Sequence, residues 1–174
     1  KVTIIDVQEE CNMEKEKYVR KAILKDALEL APKMRKEDRA EILASDNMSP
    51  LQALVVPFTI KGAKIYSIIG TKEEGVIGMF GSTPSSEPDF GIAWLLSANN
   101  LANNHARQFL KECPYWVSQM GEGYKHLYNF VDKRNWVALK WLQLLGFEAK
   151  EEFPTYGHKQ IPFLLMMKEL KCAV

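Results

Sequence analysis

The stretch Asn129 to Phe147, NFVDKRNWVALKWLQLLGF, constrains the fold of this chain more than any other. Leu127 to Val131 reads as a strand and Trp136 to Leu145 as a helix. Asn135 stands at the helix start, where its side chain can cap the first free amides. Ala138 is small enough to let a helix lie close on a sheet. Gly146 suits the left-handed backbone that ends a helix. Phe147, the next residue, can seal the end of the core.

Upstream, Val2 to Val7 reads as a short first strand. Val19, Ile23, Ala27 and Leu30 recur at helical spacing, predicting a helix over roughly Lys15 to Leu30. Pro32 interrupts that pattern. A second helix is expected over Lys36 to Ser45, with Ala40 and Leu43 on its inner side. Ser49-Pro50 has the form of an N-cap followed by proline at the first helical position. Ala63 to Gly70 and Val76 to Phe80 flank a polar turn ending at Gly75, which predicts a β-hairpin. Ser82 to Pro88 reads as a loop rich in serine and proline. Phe90 to Leu96 is nearly all apolar, as expected of a strand buried on both faces. Asn99 to Asn104 reads as a polar loop, followed by a helix over His105 to Met120 with a bend near Pro114. Ala149 to Phe153 and Phe163 to Lys168 read as closing strands. Strands and helices in this order predict a mixed α/β sheet of six to seven strands with helices on both faces, in a single domain over 1–174.

Composition narrows the function classes. The 174 residues are 47% hydrophobic, enough for a sizeable core, and carry a formal net charge of +1. That near-balance gives no reason to expect nucleic acid or an anionic membrane surface as partner. There is no 18-residue apolar run of the kind that spans a bilayer, and the Ile161 to Met167 run reads as core rather than exposed edge. The first residues turn acidic at Asp6, unlike a signal-peptide core. Cys11, Cys113 and Cys172 are scattered, so a reducing cytoplasmic setting is expected and no disulfide framework. His105, His126 and His158 lack metal-ligand spacing, and no metal is expected.

The strand order and the sequence Asn135-Trp136-Val137-Ala138 followed by Leu144-Leu145-Gly146-Phe147 resemble the GNAT acetyltransferases. A narrower resemblance covers about Ala31 to Glu169. Phe80-Gly81-Ser82-Thr83-Pro84, Ala93-Trp94-Leu95-Leu96, Phe109-Leu110, Val131-Asp132-Lys133-Arg134-Asn135 and Trp141 to Phe147 are similar to the internal virion protein A family of podoviral bacteriophages.

The GNAT resemblance implies acetyl-CoA as cofactor, with Leu95, Leu96, Ser97, Asn103, Asn104 and Asn135 as the residues against it. It also implies a glycine-rich loop whose amides, with the following helix N-terminus, face the cofactor phosphates. The corresponding stretch, Ser97 to His105, has no glycine. The resemblance further implies a tyrosine acid seven positions after Asn135, and that position is Leu142. Asp132 and His105 remain as candidates for a base, with Glu87 and Asp89 as solvated loop residues. The expectation is a phage protein with a degenerate acetyl-CoA site, holding the cofactor weakly or not at all. It would act in virion assembly or infectivity, or by binding a host or virion component, in the host cytoplasm or the virion. The alternative is an active N-acyltransferase acting on an amine of a small molecule or protein.

Overall fold

A computed structural model describes residues 18–170. The strand expected at Val2 to Val7 lies outside the described residues. Seven strands form one mixed sheet: β1 (Val19–Lys21), β2 (Lys64–Ile69), β3 (Val76–Pro84), β4 (Phe90–Ser97), β5 (His126–Asp132), β6 (Glu148–Tyr156) and β7 (Ile161–Glu169). Their order across the sheet is β1-β2-β3-β4-β5-β7-β6. Neighbours run antiparallel except β4 and β5, which are parallel. The helices are α1 (Leu24–Leu30), α2 (Lys36–Asp46), α3 (Pro50–Val55), α4 (Asn99–Asn104), α5 (Ala106–Gly121) and α6 (Trp136–Leu144).

The sheet separates two apolar layers. On one face α1, α2 and α3 bury Leu30, Ile42 and Leu54 against Met79 and Leu96. On the other, α5 buries Phe109, Cys113 and Val117 against Phe80, Ala93, Leu127 and Val131, and α6 adds Ala138, Trp141 and Leu142. This is the α/β architecture that the order of elements predicts.

Several local features follow from particular residues. Ser49 accepts from the Gln52 N–H while the Gln52 side chain accepts from the Ser49 N–H, closing a capping box at the start of α3. Gly146 has φ +83°, and the Phe147 N–H returns to the Leu142 carbonyl at 2.9 Å, ending α6. Phe147 is buried beside it, which stabilises the fold by about 2 kcal/mol. β7 is an interior strand whose Phe163 and Met166 are fully buried, so the Ile161–Met167 run belongs to the core.

Four expectations are corrected. The helix expected from Lys15 begins at Leu24, because Val19 to Lys21 pairs with β2. Val19 is buried as a strand residue, whereas Ile23 is 53% exposed and extended, so the shared spacing did not mark one helix face. The inner side of α2 is Asp38, Ile42 and Ala44 rather than Ala40 and Leu43. The expected loop at Ser82 is strand through Pro84: buried Ser82 donates to the Met120 carbonyl at 2.8 Å. Beside it, a Cβ on Gly81 would stand 2.0 Å from the Lys64 carbonyl oxygen, so only glycine fits this close strand contact. The expected polar loop at Asn99 is helix α4, nucleated on fully buried Leu101.

Candidate active site

The site arises where the sheet divides. β4 and β5 pair only at Phe90–His126, Gly91–Leu127 and Ile92–Tyr128. Beyond that the strands part, and residues 93–97 of β4 and 129–132 of β5 face one another without a shared ladder. A cavity of about 80 Å³ fills the gap. Its walls are mostly apolar: Phe109, Trp116 and Val117 from α5, Trp141 and Leu142 from α6, and Leu95 from β4. Trp94 also lines it, with a buried indole N–H that has no hydrogen-bond partner among the described residues.

One end of the cavity is polar. Arg35, Asp38 and Glu41 project from the start of α2, and Asn135 meets them from the head of α6. Arg35 Nε lies 2.9 Å from Asp38 Oδ1, and its Nη2 donates to Asn135 Oδ1 at 2.6 Å. Asn135 Nδ2 donates to Glu41 at 3.0 Å and to Asp38 at 3.4 Å. The same two carboxylates hold the strand ends. Asp38 accepts the Ser97 N–H at 2.9 Å, and Glu41 accepts the Asp132 N–H at 3.0 Å. The Arg35 N–H donates to the Ser97 carbonyl at 2.8 Å. Arg35, Asp38 and Asn135 are each under 8% exposed, so the bonds among these three form away from water, while those to half-buried Glu41 lie at the edge of the cluster.

The electrostatics differ from residue to residue. Burial pushes the Glu41 carboxyl up to about 8, helped by the neighbouring Asp38 and Asp132 and opposed by the bonds from Asn135 and the Asp132 amide. Burial also raises Asp38, against the pull of Arg35. Burial acts to raise Asp132 too, but the hydrogen bonds of Arg134 outweigh it and hold that carboxyl below its usual range. Glu41 therefore carries its proton at neutral pH, and Asp38 beside it is shifted in the same direction.

Beside the head of α5, side chains of α4 and His105 hold a carboxylate of the chain itself. Glu74, in the β2–β3 turn, accepts from the Asn100 amide at 2.9 Å and the Asn104 amide at 3.2 Å, and lies 2.7 Å from His105 Nε2. The Thr71 N–H also donates to it at 2.9 Å. The bond from Thr71, then those from Asn100, His105 and Asn104, lower the Glu74 carboxyl to about 2.

The expected site residues thus separate. Leu95, Ser97 and Asn135 line the cavity; Leu96 faces the opposite layer with α1 and α3. Asn104 and His105 are bound to Glu74, and Asn103 is exposed next to them. Asp132 is buried at the end of β5 but engaged twice over by Arg134, at 2.6 Å and 3.0 Å. Asn135 does not cap its own helix with its side chain: the buried charges of α2 take both ends of its amide. Arg35, Asp38 and Glu41 were not anticipated. Their signal was three charged residues at i, i+3 and i+6, placing them together on one side of α2.

No family model matches the chain, and no curated protein matches it. Solved structures do. A GNAT-family acetyltransferase from Streptococcus pneumoniae is 20% identical, with 88% of this chain and 98% of that one covered, at a TM-score of 0.58. The ribosomal-protein-S18-alanine N-acetyltransferase of Escherichia coli is 10% identical over 90% and 95% of the two chains, at 0.63. An aminoglycoside acetyltransferase in complex with coenzyme A is 14% identical over 87% and 93%, also at 0.63. The chain has the GNAT fold. Among the described residues no helix is long and apolar enough to cross a membrane, and no cluster of His, Cys, Asp and Glu is arranged to hold a metal ion.

Proposed function

We propose that this chain is a bacteriophage protein that keeps the GNAT fold with a degenerate acetyl-CoA site, and that it acts in virion assembly or infectivity by binding a host or virion component. The observation that carries this reading is Glu74. The side chains of Asn100, Asn104 and His105, next to the head of α5, already hold a carboxylate of the chain itself. A phosphate arriving there meets a fixed negative charge instead of free donors.

Two further features support it. The cavity in the strand gap, about 80 Å³, is far smaller than a typical cofactor pocket of ~300 Å³ or more. Leu142 lines that cavity where the family resemblance calls for a tyrosine acid. Both features support a site that holds acetyl-CoA weakly or not at all. The binding role draws support from α6, whose Trp136 is 67% and Leu144 61% exposed, since exposed aromatic side chains anchor protein interfaces. The podoviral resemblance of the sequence supplies the virion context.

Calorimetric titration with acetyl-CoA at about millimolar ligand tests the degenerate site, because a working cofactor site binds in the micromolar range. No heat and no thermal shift are expected. Micromolar binding that is lost on changing Asn103 and Asn104 to alanine overturns it. Disruption of the gene in the phage tests the virion role: particle yield or infectivity falls, and unchanged values for both would remove it.

One observation favours a second reading, an active N-acyltransferase. A carboxyl raised to about 8 at the cavity, Glu41, can take the proton of an incoming amine once the pH is high enough to ionise it. Acetyl transfer to amine acceptors that disappears in Glu41→Gln would establish it.

A further inference from the structure

Ser97 is the last residue of β4 and Asp132 the last of β5. No pairing of the two strands occurs beyond Ile92–Tyr128, so their ends are not joined by the sheet. They are joined by α2. Asp38 holds the Ser97 amide, and Glu41, one turn further on, holds the Asp132 amide. Asn135 ties the two carboxylates together, and the antiparallel bridge Met34–Ala98 anchors the start of α2 to the continuation of β4. The cavity lies directly behind this cluster.

We infer that α2 is a latch across the divided strands, with a fixed half on β4 and a releasable half on β5, and that loss of the Glu41 proton frees the releasable half and opens the cavity. The asymmetry rests on the charges facing each carboxyl. Asp38 has Arg35 at 2.9 Å as a counter-ion, and two backbone contacts from the Met34–Arg35 segment reinforce the β4 side. Among the described residues, no cation is bonded to Glu41. From its own helix it faces Asp38 and Arg35; from β5 and its following turn it faces Asp132, whose counter-ion is Arg134. β4 brings only the uncharged Ser97, and α6 only the neutral amide of Asn135. At the far end of α2, His158 and Lys159 of the β6–β7 turn meet Ala44 and Ser45 through backbone N–H bonds. Asp46 and Tyr156 stand at that same end. An ionised Glu41, itself half-buried, would add a third carboxylate to buried Asp38 and Asp132 around the buried Arg35 guanidinium. Burial and these neighbours place that ionisation near pH 8. The inference holds whether or not the chain transfers an acyl group.

Residue-resolved amide exchange on the intact chain, corrected for intrinsic rates, tests it. Between about pH 6.5 and about pH 9.5 the protection of the Asp132 amide falls by about tenfold or more, while that of the Ser97 amide changes less. Acrylamide quenching of the tryptophans rises over the same range, because Trp94, Trp116 and Trp141 line the cavity. Glu41→Gln, which keeps an acceptor for the Asp132 amide and cannot ionise, shows neither change. A flat wild-type profile at Asp132 overturns the latch, and that measurement stands even if the variant fails to fold. A larger fall at Ser97 than at Asp132 overturns the assignment to Glu41.

Discussion

Glu74 and Glu41 are two glutamates at two ends of the same structure, and their environments drive them in opposite directions. Glu74 gathers four donors, among them an imidazole, and is held ionised, its carboxyl lowered to about 2. Glu41 receives two donors, faces two other carboxylates, and is held protonated, its carboxyl raised to about 8. Burial alone does not decide which glutamate is charged. The donor supply does, weighed against like charge close by. The first glutamate is tied by side chains beside the head of α5; the second stands at the polar end of the cavity.

The comparison can be broken at its centre by Asp38→Ala. That change strands the buried Arg35 charge and the Ser97 amide together, and costs about 3–5 kcal/mol. Urea unfolding measures it; a loss under about 1 kcal/mol would mean water replaces the carboxylate and the cluster is not closed. Glu41→Gln comes next. The folded protein keeps the Glu41 proton up to about pH 8, whereas the unfolded chain gives it up near 4.5. Its stabilisation is therefore complete below about pH 4.5 and disappears progressively as the pH rises to about 8. The variant lacks that slope, so melting curves show it overtaking wild type as the pH rises through this window. Parallel pH profiles would remove the raised carboxyl.

Glu74→Gln has a smaller effect of opposite sign. The Glu74 carboxyl is depressed, so its contribution is present above about 4.5 and lost as the pH falls toward about 2. The variant is less stable at neutral pH and flatter on the acid side, by circular dichroism. The effect is limited because glutamine still accepts from the Thr71 amide. Leu142→Tyr is expected to change least. Restoring a phenol beside a cavity of about 80 Å³ leaves the Glu74 carboxylate beside the head of α5 untouched, and no acetyl transfer appears in a thiol-release assay. Transfer gained by this single change would mean that only the acid had been missing.

The parts of the fold legible in the sequence are those encoded locally. Ser49-Pro50 carries its own cap, the Thr71–Gly75 turn its own hairpin, and Gly146-Phe147 its own helix end. The site was legible only along β4 and at Asn135. Asp38 meets Ser97 across 59 positions, and Asn135 meets Glu41 across 94, so α2 reads as an ordinary charged helix until the chain is folded. Tertiary burial also inverted its faces, placing Asp38 inside and Leu43 outside. Glu74 looks like one more acid in the polar turn Lys72-Glu73-Glu74, because the asparagines it binds lie beyond two intervening strands.

The three residue pairs joining β4 to β5 have one more consequence. On one side of that seam lies a four-stranded antiparallel unit, in which β2–β3 and β3–β4 are hairpins of neighbouring segments and β1 joins β2 across the α1–α3 segment. On the other lies a three-stranded unit, β5 with β7 and β6. Each side pairs within its own continuous stretch of chain, residues 19–97 and 126–169, and can assemble before the seam closes. The seam is then the step where two separately formed pieces first recognise each other, and the boundary at which the chain could be cut and reassociated from its parts.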